Sequence, residues 1–126
     1  MPKFLQTAPV LLVADVQLAD YYRDKLGFAY DRLWGEPPCF CMVHRDCLTL
    51  MLSQVPAGEP PDTSFRQEEG VWNAYFWVDD AQAVHQEFLD RGADVVCEPS
   101  VKIYQVLEFD VRDLDGHVIG VGQAID

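Results

Sequence analysis

The chain has 126 residues, 49% of them hydrophobic, and a formal charge of −12. That is enough apolar material for one globular core and too much for a disordered tail. So acidic a surface repels phosphate backbones and anionic lipid, which excludes nucleic acid and membrane surfaces as partners and favours cationic ligands. No apolar run approaches the roughly 20 residues of a membrane helix, and Met1-Pro2-Lys3-Phe4 lacks the apolar core of a signal peptide, so a cytoplasmic location is expected. Cys39, Cys41, Cys47 and Cys97 form no CxxC pair. They are expected to be reduced packing residues, with Cys39 and Cys41 on one face of a strand but without the partners a zinc site needs.

In chain order, Val10 to Val13 predicts a buried strand, with Asp15 placed to cap the helix after it. Leu18, Tyr21, Tyr22 and Leu26 recur at helical spacing, and Gly27 follows as the stop. Phe28 to Leu33 and Phe40 to Val43 predict strands separated by the turn-forming Gly35-Glu36-Pro37-Pro38. His44-Arg45-Asp46 is expected as a turn before a half-buried strand, Cys47 to Leu52. Gln54 to Gly70 is rich in Pro, Gly and acid and predicts a linker. Trp72 to Val78 opens a second series, with a helix from about Ala81 to Arg91 burying Ala81, Val84 and Phe88, and Gly92 as its stop. A short strand at Val95-Val96-Cys97, a long one from Ile103 to Arg112, and a hairpin at Asp113-Leu114-Asp115-Gly116 into His117 to Gln123 complete it.

The two series repeat. Val13, Asp15, Gln17 and Gly27 match Val78, Asp80, Gln82 and Gly92 at a constant offset of 65 residues. Four matches in one register, at strand, helix start and helix stop, indicate a duplicated supersecondary unit. The predicted fold is α+β: two tandem βαβββ modules, about residues 5–53 and 71–124 joined by 54–70, forming a curled mixed sheet with a cleft and helices on the outer face.

The duplicated βαβββ order, the strand-Asp-helix-Leu-Gly-Phe run from Val13 to Phe28, and Asp113-Leu114-Asp115-Gly116-His117 near the end resemble the vicinal oxygen chelate superfamily. That superfamily includes glyoxalase I, ring-cleaving dioxygenases, fosfomycin resistance enzymes and bleomycin resistance proteins. The resemblance covers nearly the whole chain, although the hairpin departs from the family's usual Asp-Pro-Asp-Gly-Asn. It implies a divalent metal held by four inward-facing His, Glu or Gln residues on the first and last strands of each module. Carried onto this sequence, those positions fall on Ala8, Met51 (Thr49 if the register slips by two), Asn73 and Gly120. None is a histidine or carboxylate, and Ala and Gly carry no donor, so no metal and no cofactor is expected. His44, His85 and His117 are expected in solvated or capping roles rather than as replacement ligands.

Strand alternation from the same positions puts Ala8, Val10, Thr49, Met51, Asn73, Tyr75, Trp77, Val118 and Gly120 on the cleft side. Leu11, Val13, Leu48, Leu50, Leu52, Ala74, Phe76, Val78, Ile119 and Val121 fall on the helix-covered side. Glu108, Asp110 and Arg112 should face the cleft or its rim, with Phe40 and Met42 facing in and Trp34 near the mouth. The expected ligand-binding set is therefore Trp34, Phe40, Met42, Thr49, Met51, Asn73, Tyr75, Trp77, Glu108, Asp110 and Gly120. Such a lining suits a bulky aromatic or cationic small molecule. Among the family's members this most resembles bleomycin resistance proteins, which implies a homodimer that sequesters its ligand without catalysis. The alternative is a metal-dependent lyase or dioxygenase, or a metal-free catalyst with Glu108 or Asp110 as general base.

Overall fold

The computed structural model describes residues 1–61 and 71–125; most of the predicted linker, 62–70, lies outside the described residues. The first series folds as β1 (Val10–Val13), a 3₁₀ turn (Val16–Leu18), α1 (Ala19–Leu26), β2 (Leu33–Trp34), β3 (Phe40–Arg45) and β4 (Leu48–Gln54). The second folds as β5 (Ala74–Trp77), α2 (Ala81–Arg91), β6 (Asp94–Val95), β7 (Ser100–Val101), β8 (Val106–Arg112) and β9 (Val118–Ala124). Two mixed sheets result, ordered β1-β4-β3-β2 and β5-β9-β8-β6, with β7 also pairing β8, and neither closes on itself. In both, the first strand pairs in parallel with the last, Val10 opposite Met51 and Tyr75 opposite Gly120.

The helix boundaries follow from local chemistry. Asp15 accepts the amide of Gln17 and Asp80 that of Ala83, and each caps its turn from extended backbone. Gly27 and Gly92 end the two helices in the left-handed region at φ 77° and 81°, where a Cβ is strained. Alternation then sorts the strands as expected: Leu11, Val13, Leu50, Leu52, Ala74, Phe76, Ile119 and Val121 are buried in one core shared by both halves. Phe28 meets Phe76 across the halves at 5.7 Å between ring centroids, and Phe88 packs edge-on against Phe109 at 6.1 Å.

Polar ties lock the halves together. Tyr22 Oη donates to Asp113 Oδ2 and Tyr21 Oη to the Arg112 carbonyl, so adjacent tyrosines of α1 reach a hairpin 91 residues away. Asp115 accepts the Ala14 amide, and Arg45 pairs with Glu87 of α2 at 2.8 Å. His117 belongs to this network and is not the solvated residue expected beside a turn. It is fully buried, its Nδ1 is 2.7 Å from Asp113 Oδ2, and Asp113 Oδ1 accepts its amide as well. The Asp-Leu-Asp-Gly-His run is thus a hairpin whose first and last residues turn inward to meet Tyr22.

Other local expectations are revised. His44 and Arg45 extend β3, where His44 Nδ1 lies 3.1 Å from Thr49 Oγ1, and the turn is Asp46-Cys47. His85 is half-buried with its ring edge-on to Phe109 rather than exposed. The strand predicted from Phe28 shrinks to Leu33–Trp34 plus a single bridge from Ala29 to His44. The long strand begins at Val106 and not Ile103, because residues 102–105 turn through Gln105 at φ 64°. Cys97 falls outside a strand, and Gln54 closes β4 instead of opening the linker. All four cysteines are free, but only Cys41 is a packing residue, its thiol pushed up to about 11 by burial; Cys39, Cys47 and Cys97 are exposed. No helix among the described residues is long and apolar enough to cross a membrane.

Candidate binding site

The site grows out of two glycines on β9. On the face of the second sheet away from the core, Gly120 lies between Tyr75 and Asp110, and Gly122 between Trp77 and Glu108. With no side chains on this part of β9, the Tyr75 ring lies flat across it. A Cβ built at Gly120 would stand 2.5 Å from Tyr75 Cδ2 and 2.7 Å from Trp72 Nε1, and one at Gly122 would collide with the Tyr75 hydroxyl. Across this glycine shelf Tyr75 Oη donates to Glu108 Oε1 at 2.8 Å. Tyr104, from the turn before β8, donates to the same oxygen at 2.7 Å.

Trp72 and Trp77 extend this aromatic surface into a shallow cup, with Trp77 61% exposed. Trp72 sits 4.8 Å from Tyr75 in an edge-on arrangement and donates its Nε1–H to Asp110 Oδ1, while Trp77 sits 5.1 Å from Tyr75 on the other side. Trp72, Tyr75, Trp77, Tyr104 and Glu108 line a cavity of about 380 Å³, within the size range of small-molecule sites. Burial and the hydrogen bond to Glu108 raise the Tyr75 phenol above its ordinary range and push Tyr104 up to about 12, so both stay protonated donors. Burial also raises the Asp110 carboxyl, against the Trp72 hydrogen bond, which lowers it. Glu108 is only 4% exposed and receives two hydroxyl donors on one oxygen; Oε2 has no hydrogen-bond partner among the described residues.

The expected site residues divide into two groups. Tyr75, Trp77 and Glu108 line the cavity; Asp110 holds Trp72 in place, and Gly120 is the floor under Tyr75. Asn73 turns to the backbone, where its Oδ1 accepts the Val118 amide, and Val118 itself is fully buried. Trp34, Phe40, Met42, Thr49 and Met51 instead lie on the outward face of the first sheet, where Trp34 pairs Phe40, and Met42 and Val10 flank Met51. Each sheet turns its other face to the shared core, so one chain does not bring the two groups together. Trp34 has the Arg32 guanidinium 4.5 Å above its ring. Val10, Leu12 and Trp34 are 55%, 40% and 45% exposed, leaving that face apolar and uncovered.

Trp72 and Tyr104 lie outside the set expected from sequence. Trp72 precedes β5, so strand parity says nothing about it, and Tyr104 stands in a turn where the sequence predicts a strand. The available signal was the density of aromatics from Trp72 to Trp77, and Tyr104 standing four residues before Glu108.

The residues present do not fit the family's metal. Ala8 has no donor, Met51 is soft, Asn73 is engaged with the backbone, and any side chain at Gly120 would strike Tyr75 and Trp72. Ala8 lies just before β1 and Met51 on β4, so this pair belongs to the first sheet, while Asn73 and Gly120 belong to the second. Among the described residues no three His, Cys, Asp or Glu side chains cluster as metal ligands.

The fold has many structural parallels. A crystal structure of TioX from Micromonospora sp. ML1 is 19% identical, with a TM-score of 0.74 over 97% of this chain and 100% of that one. The bleomycin-binding protein from bleomycin-producing Streptomyces verticillus, solved with copper(II)-bleomycin, is 24% identical with a TM-score of 0.73 over the whole of both chains. Lactoylglutathione lyase from Agrobacterium tumefaciens is 17% identical, with a TM-score of 0.67 over 98% of this chain and 96% of that one. No curated protein sequence matches the chain. The family profile described as Glyoxalase/Bleomycin resistance protein/Dioxygenase superfamily matches residues 7–121, and the chain belongs to that superfamily.

Proposed function

We propose that this protein is a metal-free binding protein that captures a bulky aromatic or cationic small molecule, of the bleomycin type, and holds it unchanged. The observation that carries this reading is the aromatic cup over Glu108, built where a metal enzyme of the family would place a ligand. Tyr75 occupies the space that a ligand side chain at Gly120 would need. Flat rings stack on indole and phenol faces, and cations are drawn to those faces and to the carboxylates beneath them. The overall charge of −12 adds long-range attraction for a cation. The structural likeness to a bleomycin-binding protein supports the same reading.

The working form in this proposal is a homodimer. The apolar outward face of the first sheet, with Met42, Met51, Phe40 and Trp34, would roof the aromatic cup of a second copy. The two groups of expected site residues then meet across the interface.

Calorimetric titration of EDTA-treated protein with metal-free bleomycin, at low and high salt, tests the proposal. Micromolar or tighter binding near one ligand per chain, weakened by salt, is expected; no heat at either ionic strength would sink the bleomycin assignment. A lyase or dioxygenase would instead reveal itself as stoichiometric metal in untreated protein.

A further inference from the structure

We infer that the cup on the second sheet is an aromatic cage for an alkylated onium cation, a trimethylammonium or dimethylsulfonium group carried by the small molecule. This rests on the capture reading above and specifies which part of the ligand the second sheet recognises. Four aromatic rings line one cavity, and the polar group at its floor is a single carboxylate. Trp72 and Trp77 flank Tyr75 at 4.8 and 5.1 Å, with both contacts inclined rather than stacked, so the rings form walls of a concavity instead of a slot. A flat slot would select a planar ring; inclined walls around a round space select a compact cation with a greasy surface.

The hydrogen bonds decide between an onium and an ordinary ammonium. Tyr75 and Tyr104 both spend their O–H groups on Glu108 Oε1, and Trp72 spends its N–H on Asp110. The Tyr75 and Tyr104 phenols are thereby presented to the cavity by their rings. A primary ammonium carries three N–H donors; Glu108 Oε2 can take one, and ring faces replace part of the water that satisfied the others. An onium has no donors to satisfy. It needs only ring faces and a negative charge near at hand, and Glu108, 96% withdrawn from solvent, supplies the charge with little screening.

The test uses the intact chain labelled with ¹⁵N and follows the indole N–H signals of Trp72 and Trp77. Choline is titrated against 3,3-dimethylbutan-1-ol, its neutral isostere, and against ethanolamine, its primary-ammonium counterpart. Saturable choline shifts are expected, several-fold tighter than either comparator, as a cation–π site whose Trp77 and Tyr104 walls are open to solvent gives. Glu108→Gln, which can still accept both phenols, should remove the preference for choline over the neutral alcohol. Tyr104→Leu, at an exposed turn, should weaken choline several-fold with the spectrum otherwise unchanged. Equal binding of choline and the neutral alcohol, or tighter binding of ethanolamine, would overturn the cage. Bleomycin capture without a choline response also overturns it while leaving capture standing. Choline binding without bleomycin binding supports the cage and removes the antibiotic from the capture reading.

Discussion

Gly120 and His117 show how much a single residue decides. Gly120 reads in sequence as an erased ligand, yet in the fold it is the floor that lets Tyr75 reach Glu108. Restoring a ligand by Gly120→His should therefore drive Tyr75 and Trp72 aside, cost about 1–3 kcal/mol of stability in a thermal melt, and bring no gain in metal affinity. His117 reads as a turn residue, yet it lies against Asp113 under Tyr22. Burial opposes its charge, but the hydrogen bond and charge of Asp113, helped by the Leu12 carbonyl and Asp115, hold its pKa above the ordinary 6.5. A raised pKa stabilises the fold fully below the unfolded value and loses that contribution as pH rises through the folded one. The melting temperature should fall as pH rises from the ordinary 6.5 through the raised folded value, and His117→Asn should flatten that part of the profile. A slope unchanged in the variant would place the titration elsewhere.

The two helices carry the repeat and also the contact between the halves. Asp80→Ala removes the acceptor for the Ala83 amide and should cost about 1 kcal/mol, read from a denaturant midpoint at unchanged slope. Phe88→Ala should cost about 3–5 kcal/mol, because Phe88 is fully buried against Phe109 and the surrounding strands cannot collapse onto the void. The second helix was legible in the sequence at both ends and the first at its glycine stop, whereas the turn that Asp15 caps is 3₁₀ and α1 itself begins at Ala19. Caps, apolar spacing and glycine stops act within one element, so local chemistry sets them. The short strands were not legible in the same way. Leu33–Trp34, paired with Cys41 and Phe40, and Ser100–Val101, paired with Glu108 and Leu107, are two residues each, too short for side-chain alternation to register, and the strand expected from Ile103 yields to a turn that delivers Tyr104.

At the scale of the molecule, each sheet has one face in the core and one turned outward. Val10 is 55% exposed, so Val10→Asp should barely change the stability of an isolated chain. In the proposed dimer the same change buries a charge at an apolar interface. Light scattering should find the wild-type protein at twice its 14.3 kDa chain mass and the variant shifted to monomer; a monomeric wild type would remove the shared cleft. The duplication, the helix stops at Gly27 and Gly92 and the inward and outward parity of the strands are written in the residues alone. Those follow from residue type and short-range periodicity. It took the folded arrangement to bring Trp72 and Tyr104 to Tyr75 and Trp77 around Glu108, to bury His117 in the core, and to split the expected lining between two outward faces. Each depends on which residues distant in sequence meet in space, and no local pattern of side chains encodes that.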